Sequence, residues 1–151
     1  MKPADMVEEF LTAIEKNNFP RAESYLSENF KVTGVGPEPL GMREFLGVHR
    51  ALGKGMPDFR FNYRIVKEKG NKVNLTVKIT GTHSMEMPAP VPGLKNIAPT
   101  NKTVTMPEEP LEITVSGSKI EKLQLEHVTG GGLQGILRQL GVKMPAEVHH
   151  H

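Results

Sequence analysis

The sequence contains no cysteine and no tryptophan, and its aromatic residues are six phenylalanines and two tyrosines. The absence of cysteine excludes a disulfide framework, a thiolate nucleophile and any cysteine-ligated zinc or iron–sulfur site. Any chemistry must therefore use oxygen and nitrogen groups. No apolar run is long enough to span a membrane, and the N-terminus lacks a basic, apolar secretory leader. We therefore expect a cytoplasmic protein that makes no contact with membranes.

An excess of charge of one sign is also missing. The 19 basic and 17 acidic side chains leave a net charge of +2, which is too small for the electrostatic footprint of a nucleic-acid-binding protein. At 151 residues with 37% apolar side chains, the chain is long enough to form one domain with its own core. We predict a single domain over residues 1–148. The histidines at 149–151 are typical of a purification-tag remnant.

The spacing of apolar residues predicts four helices and a short extended piece at 30–33. The first helix begins at Pro3, which is favoured at a first helical position. The others are predicted at about 20–27, 42–52 and 133–140.

Apolar and polar residues alternate in two further regions of the chain, as they do in half-buried strands. The alternation predicts one antiparallel hairpin from 59–65 and 73–79, and a second from 111–115 and 123–127. Helices, then four strands, then a short helix predict an α+β domain in which the N-terminal helices cover one face of a curved antiparallel sheet. The segment 84–103 has too many prolines for a strand and too many apolar residues for a solvated linker. We predict that it forms a packed flap.

Several short strings in the sequence, each on its predicted element, resemble the SnoaL-like polyketide cyclases of the nuclear transport factor 2-like superfamily. The strings are Met56-Pro57-Asp58-Phe59-Arg60, Gly81-Thr82-His83, Pro99-Thr100-Asn101-Lys102 and Leu137-Arg138-Gln139-Leu140-Gly141. The resemblance covers residues 1–142. It implies a cone formed by the sheet and the helices, an apolar pocket inside it, and a homodimer through the outer sheet face.

The resemblance also implies where acid/base chemistry would lie. Enzymes of this family use a few acid/base groups inside the pocket, and the SnoaL-type cyclases place an aspartate near the junction of the last strand and the last helix. The corresponding stretch here, residues 126–132, contains no aspartate. The sequence therefore departs from the family pattern at this position.

Two histidines supply substitute candidates for catalytic groups. His83 lies on the same strand face as Val77 and Ile79, and His127 continues the face of Leu125. If the sheet curls as the resemblance implies, both rings point into one hollow, where a neutral imidazole transfers protons near neutral pH. Tyr63, on the inward face of the first strand, adds a hydroxyl donor that would stabilise an enolate.

The other predicted site residues line the pocket and bind substrate. They are His49 on the third helix, Phe61, Met85, Met87 and Leu125, the methionines because they adapt to irregular apolar shapes. Structural interpretations compete with each assignment. A histidine at the end of an apolar strand is more often a hydrogen-bonded core or rim residue, and His49 is more often bonded to a backbone carbonyl. Glu108 and Glu109, between two prolines, are predicted to form a solvated connection. We expect no metal, because parity sends Glu126 to the face opposite His127. We also expect no organic cofactor.

Two functions fit these observations. The first is cofactor-independent acid/base chemistry, such as cyclisation, isomerisation or hydration, on an apolar, carbonyl-containing substrate. The second is non-catalytic binding of a hydrophobic small molecule in the same pocket. An interaction module that dimerises through its sheet face is the third, simpler interpretation.

Overall fold

The computed structural model describes residues 1–35 and 38–143, so the end of the predicted domain and the histidines at 149–151 lie outside the described residues. Four helices occur in this part of the chain. They are α1 (Pro3–Glu15), α2 (Phe19–Ser24), α3 (Met42–Gly55) and α4 (Gly132–Gln139). The eight strands of the same residues are β1 (Leu26–Thr33), β2 (Leu40–Gly41), β3 (Arg64–Lys69), β4 (Lys72–Val77), β5 (Thr80–Thr82), β6 (Thr103–Thr105), β7 (Glu109–Ser116) and β8 (Lys119–Leu125).

Six of the strands form one sheet in the order β2-β1-β8-β7-β4-β3, and β5 and β6 form a separate pair. The predicted α+β class is confirmed, and the two predicted hairpins are β3–β4 and β7–β8. The strand β2, the separate β5–β6 pair and one long-range pairing were not predicted. Strand β1 extends the sheet by pairing in parallel with β8, although just over ninety positions separate Val32 from its partner Leu123. No local pattern in the sequence indicates a pairing of that range.

The core lies between the helices and one face of this sheet. Cross-strand rows such as Val73–Ile113–Leu123 are buried on that inner face, whereas the row Asn74–Glu112–Gln124 lies on the outer face. Helix α1 contributes a buried stripe of six side chains: Met6, Val7, Phe10, Leu11, Ala13 and Ile14. Its first turn is fixed to the sheet, because the backbone N–H of Ala4 donates to Glu68. Burial of these apolar faces is what holds helices and sheet together.

The first predicted strand begins five residues later than the alternation indicates. Residues 59–63 form an irregular link, in which Arg60 makes only an isolated bridge to Thr80. Asn62 has a left-handed backbone conformation with φ of 48°, which a continuous strand does not allow. Its side-chain amide donates to the Lys78 carbonyl at 2.9 Å and fixes the link in place.

The segment 84–103 packs against the end of α3. Met87 and Ile97 bridge to each other, and Met87 is completely buried. A Cβ added at Gly55 would lie 2.6 Å from the Cβ of Met87, so only glycine allows this close approach. In the described residues, no helix is both long and apolar enough to cross a membrane.

Candidate functional site

His83 is completely buried at the base of the 84–103 segment. Its Nδ1 lies 3.0 Å from the Thr100 hydroxyl and accepts the backbone N–H of Thr100 at 3.3 Å. Because Nδ1 is an acceptor, a neutral ring carries its proton on Nε2. That Nε2 is buried and has no hydrogen-bond partner in the described part of the chain. The backbone of His83 also joins the two ends of the 84–103 segment. Its N–H donates to the Lys102 carbonyl, and its carbonyl accepts from the Asn101 N–H.

His127 occupies a different environment. It lies two residues past the end of β8, is exposed, and lines an open groove of about 590 Å³ whose walls include Asn74, Glu112 and Gln124 of the outer sheet face. His83 is not among the residues that line this groove. The prediction that both imidazoles face one hollow extended the alternation of strand faces to His127. Alternation applies only within a strand, and β8 ends at Leu125, which is half-buried at the same groove. The position of His127 therefore does not follow from it.

Tyr63 is half-buried beside α1. Its hydroxyl donates to Glu8 Oε2 at 2.9 Å. Burial, followed by this hydrogen bond and the negative charge of Glu8, raises the pKa of Tyr63 to about 12. The phenol is therefore protonated at neutral pH, and its proton is engaged by Glu8. To donate to a substrate, the Tyr63 hydroxyl would have to give up its hydrogen bond to Glu8.

His49 and Phe61 are two predicted substrate-binding residues that lie side by side. The ring of His49 is 4.7 Å from that of Phe45, 5.7 Å from that of Phe59 and 5.5 Å from that of Phe61, between centroids. We call these four residues the His49 cluster. The Nδ1 atom of His49 is buried without a hydrogen-bond partner in residues 1–35 and 38–143. Burial lowers the pKa of His49 to about 4, so its ring is neutral at physiological pH.

The chain builds this cluster from one helix and one irregular link. Phe45 and His49 are four residues apart on α3 and therefore face the same side. Phe59 and Phe61 come from the link after the helix and stack edge to face at 5.0 Å. The link is tied to α1, because the backbone N–H of Phe61 donates to Glu15 Oε2 at 2.8 Å.

The two methionines predicted to line the pocket separate. Met87 is buried against the end of α3, whereas Met85 is 54% exposed. The backbone of Met85 nevertheless fixes the segment, since its N–H donates to the Gly55 carbonyl at 3.2 Å. Only Met87 is therefore placed to contact anything in the interior.

Glu109 corrects the expectation of a solvated connection. Its side chain is only 8% exposed, while Glu108 beside it is open to solvent. Glu109 begins β7 on the face that also carries Leu111, Ile113 and Val115, and counting back from these residues in steps of two would have indicated its burial. Among the described residues, no three histidine, aspartate or glutamate side chains are placed to hold a metal ion.

Solved structures resemble this fold closely, although their sequences differ. IdmH from Streptomyces antibioticus, provisionally assigned as a polyketide cyclase, superposes with a TM-score of 0.68 at 19% identity over 94% of this chain and 100% of its own. A protein from Pseudomonas putida KT2440 with the same provisional assignment gives 0.66 at 14% identity, over 92% and 98%. AclR from Streptomyces galilaeus, provisionally a hydroxylase, gives 0.68 at 15% identity, over 98% and 87%. At these identities the likeness defines the fold alone, that of the nuclear transport factor 2-like proteins.

The sequence itself defines the family. Residues 4–123 match the model of the SnoaL-like polyketide cyclases, so the chain belongs to that family. No curated protein matches the sequence significantly. Family and fold are thereby established, and they agree with the resemblance carried by the four short strings.

Proposed function

We propose that this protein binds an apolar, ring-containing small molecule with a carbonyl group, and that the His49 cluster recognises it. The observation that carries the proposal is the unpartnered Nδ1 of His49. A buried polar atom without a partner costs about 1–3 kcal/mol, so such an atom is expected to have a use. A carbonyl oxygen would satisfy Nδ1 as long as that nitrogen carries the proton of the neutral ring.

The surroundings of His49 support an aromatic or polycyclic ligand. Phe45, Phe59 and Phe61 are buried around His49, and an aromatic ligand that entered among them would make offset or edge-to-face contacts. His49 itself is half-buried, so the cluster reaches the protein surface on one side. A neutral imidazole among apolar rings also adds no charge that an apolar ligand would have to desolvate.

Binding of two fluorescent probes tests this proposal. Wild-type protein should bind 2-acetylnaphthalene more tightly than naphthalene, by about two- to tenfold, the worth of one neutral hydrogen bond. The absence of tryptophan leaves the probe emission free of protein emission from indole. In His49→Phe the preference for the carbonyl probe should vanish while naphthalene still binds. An exposed-histidine control, His127→Gln, should keep the preference, and an unchanged preference in His49→Phe would contradict the proposal.

Cofactor-independent acid/base chemistry on the same carbonyl is the second candidate function, supported by membership of a cyclase family. His83, His127 and Tyr63 stay the predicted catalytic residues. The unpartnered Nε2 of His83, which carries the proton of the neutral ring, favours a role for His83 as a hydrogen-bond donor to the enolate oxygen. Exchange of the methyl protons of 2-acetylnaphthalene for deuterium, followed by NMR, measures the relevant proton transfer. The catalytic candidate predicts faster exchange with wild-type protein than with His83→Gln. Equal exchange rates with wild-type protein and with His83→Gln would contradict the catalytic candidate and leave only the binding function.

A homodimer through the outer sheet face also stays a proposal. The row Asn74–Glu112–Gln124 gives that face polar groups suited to a wet interface. Light scattering of the purified protein should give twice the chain mass, and Glu112→Lys should reduce it. A monomer mass at every concentration would contradict the dimer.

A further inference from the structure

Four lysines lie in one cross-strand row of the sheet. Lys31 of β1 is paired with Lys122 of β8, Lys122 with Thr114 of β7, Thr114 with Lys72 of β4, and Lys72 with Lys69 of β3. We call these four lysines the lysine row. All four side chains are exposed. Side chains alternate between the two faces of a sheet, so the row is placed on the outer face by its buried neighbours Val32, Leu123 and Val73.

Like charges stand directly opposite each other in this row. Lys31 is paired with Lys122, and Lys72 is paired with Lys69 across the hairpin turn. Such side chains lie about 5 Å apart at Cβ, and like charges there destabilise the sheet. One ion pair relieves the row, because Lys72 Nζ lies 3.3 Å from Glu112 Oε1. The other three lysines have no carboxylate of a described residue within 4.0 Å. The fold therefore carries a repulsion that it does not itself neutralise.

Positive charge is concentrated on this face of the molecule. The neighbouring cross-strand row ends at Lys67, which is paired with Asn74, and its one carboxylate is that of Glu112. The two rows together carry five lysines and one glutamate, whereas the net charge of the whole chain is only +2. An exposed surface with such an excess attracts a partner of negative charge.

The spacing of the strands sets the size of that partner. Neighbouring strands are about 4.8 Å apart, so the row spans about 19 Å from Lys31 to Lys69. Thr114 divides it into two pairs of lysines. An extended peptide of six residues covers about 20 Å. A short acidic segment is therefore long enough to contact both pairs at once.

The aromatic side chains distinguish between the classes of negatively charged partner. Single-stranded nucleic acids stack on aromatic rings, and proteins that bind membrane surfaces commonly insert aromatic or other large apolar side chains. All six phenylalanines are buried, and both tyrosine hydroxyls donate to glutamates of α1. The lysine row itself contains only lysine and threonine. Carboxylates need no more than the ammonium groups, so the observations favour an acidic protein segment.

We propose that the lysine row is a docking surface for an acidic segment of a partner protein. Aspartate and glutamate side chains of the segment neutralise the two lysine pairs and remove the repulsion between them. This inference goes beyond the proposed function, since it uses none of the residues of the His49 cluster. A second copy of this chain is the competing occupant. A two-fold axis through the row would set lysines against lysines, which disfavours that arrangement.

Titration with hexaglutamate, followed by NMR of ¹⁵N-labelled protein, tests the proposal. Wild-type protein should show saturable shifts at the backbone amides of the lysine row, and hexaglutamine should cause none. Each exposed ion pair is worth up to about fivefold in affinity, so Lys31→Glu/Lys122→Glu should weaken hexaglutamate binding by about tenfold or more. Higher salt should weaken wild-type binding, because exposed charges are screened.

A matched double variant controls for net charge. Lys54→Glu/Lys95→Glu makes the same charge change at exposed positions of α3 and of the 84–103 segment, so binding should stay within about threefold of the wild type. Circular dichroism should show both double variants folded, because the substituted side chains are exposed. Equal weakening in the two variants would mean that hexaglutamate responds only to net charge, and would overturn the proposal.

The remaining outcomes assign the row to another occupant and would overturn the proposal as well. Tighter binding of hexathymidylate, or of vesicles of phosphatidylserine and phosphatidylcholine, than of hexaglutamate would indicate a nucleic acid or a membrane. Absence of hexaglutamate shifts, with a dimer mass that falls in Lys31→Glu/Lys122→Glu, would indicate a second copy. The naphthalene probes report on His49 independently, so failure of this surface and failure of the His49 site are distinguishable.

Discussion

His49 is half-buried and His83 is completely buried, and each has one buried ring nitrogen without a partner in the described residues, yet the two differ in what surrounds them. His83 is held by the backbone and hydroxyl of Thr100, and its own backbone closes the 84–103 segment. The aromatic rings packed against His49 are those of Phe45, Phe59 and Phe61. The imidazole of His83 therefore has a structural use, whereas no hydrogen bond among the described residues uses the side-chain nitrogens of His49. The difference points to ligand recognition at His49.

The largest expected effect is on folding, at His83. His83→Ala removes a completely buried ring and leaves the Thr100 N–H without its acceptor, which should lower the free energy of unfolding by roughly 3 kcal/mol. Urea denaturation followed by circular dichroism measures this loss. A change below about 1 kcal/mol would remove the structural role that sets His83 apart from His49.

The second expected effect is a change of stability with pH, caused by protonation of His49. Burial lowers the pKa of His49 from 6.5 to about 4, so between these values the unfolded chain binds more protons than the folded one. Stability should therefore fall as pH decreases from 6.5 to 4, by at most on the order of 3 kcal/mol. Denaturation at a series of pH values should show this slope in wild-type protein and a flatter one in His49→Phe.

A matched control accompanies the pH series. His127→Gln removes a histidine whose ring is exposed, so its slope between pH 6.5 and 4 should follow that of the wild type. Equal flattening of the slope in His127→Gln and His49→Phe would contradict the assignment of the pH dependence to His49.

A smaller loss of stability is expected when the Thr100 hydroxyl beside His83 is removed. Thr100→Val keeps the backbone N–H that donates to Nδ1 and removes only the hydroxyl 3.0 Å from it, so the loss should be about 1 kcal/mol. Thermal melting measures it, together with hydrogen exchange of the His83 and Asn101 amides at the base of the segment. We expect the His83 and Asn101 amides to exchange faster in Thr100→Val, with no change in α1. Unaltered exchange at both amides would argue against a stabilising contact between the Thr100 hydroxyl and His83.

The smallest effect on stability is expected at His49 itself. His49→Phe replaces a ring with an unpartnered nitrogen by an apolar ring among three others, so the free energy of unfolding at pH 7 should stay within about 1 kcal/mol of the wild type. Urea denaturation tests this. A loss above about 2 kcal/mol would mean that His49, like His83, is needed by the fold.

Much of the fold could be predicted from the sequence, because local periodicity reports which face of an element is buried. Helices α1 and α3 and both hairpins follow from apolar spacing that the core enforces. The parallel pairing of β1 with β8 could not be predicted in this way, because it joins distant parts of the chain. The irregular link at 59–63 was also missed, since Phe59, Phe61 and Tyr63 alternate with polar residues as a strand would.

The candidate site was less predictable than the fold. Strand parity placed His127 with Leu125, but parity has no meaning beyond the last paired residue. The same parity would have revealed the burial of Glu109, had the prolines on either side not suggested a solvated connection. The grouping of His49 with Phe59 and Phe61 depends on how the link packs against α3, which only tertiary structure shows.

The most direct test of the central claim observes the ring nitrogens of His49 while a ligand binds. In protein labelled with ¹⁵N at histidine, titration with 2-acetylnaphthalene should shift the Nδ1 resonance of His49 saturably, with smaller changes at His83 and His127. Binding of the probe with no change at His49 Nδ1 would contradict the claim that this nitrogen recognises the ligand.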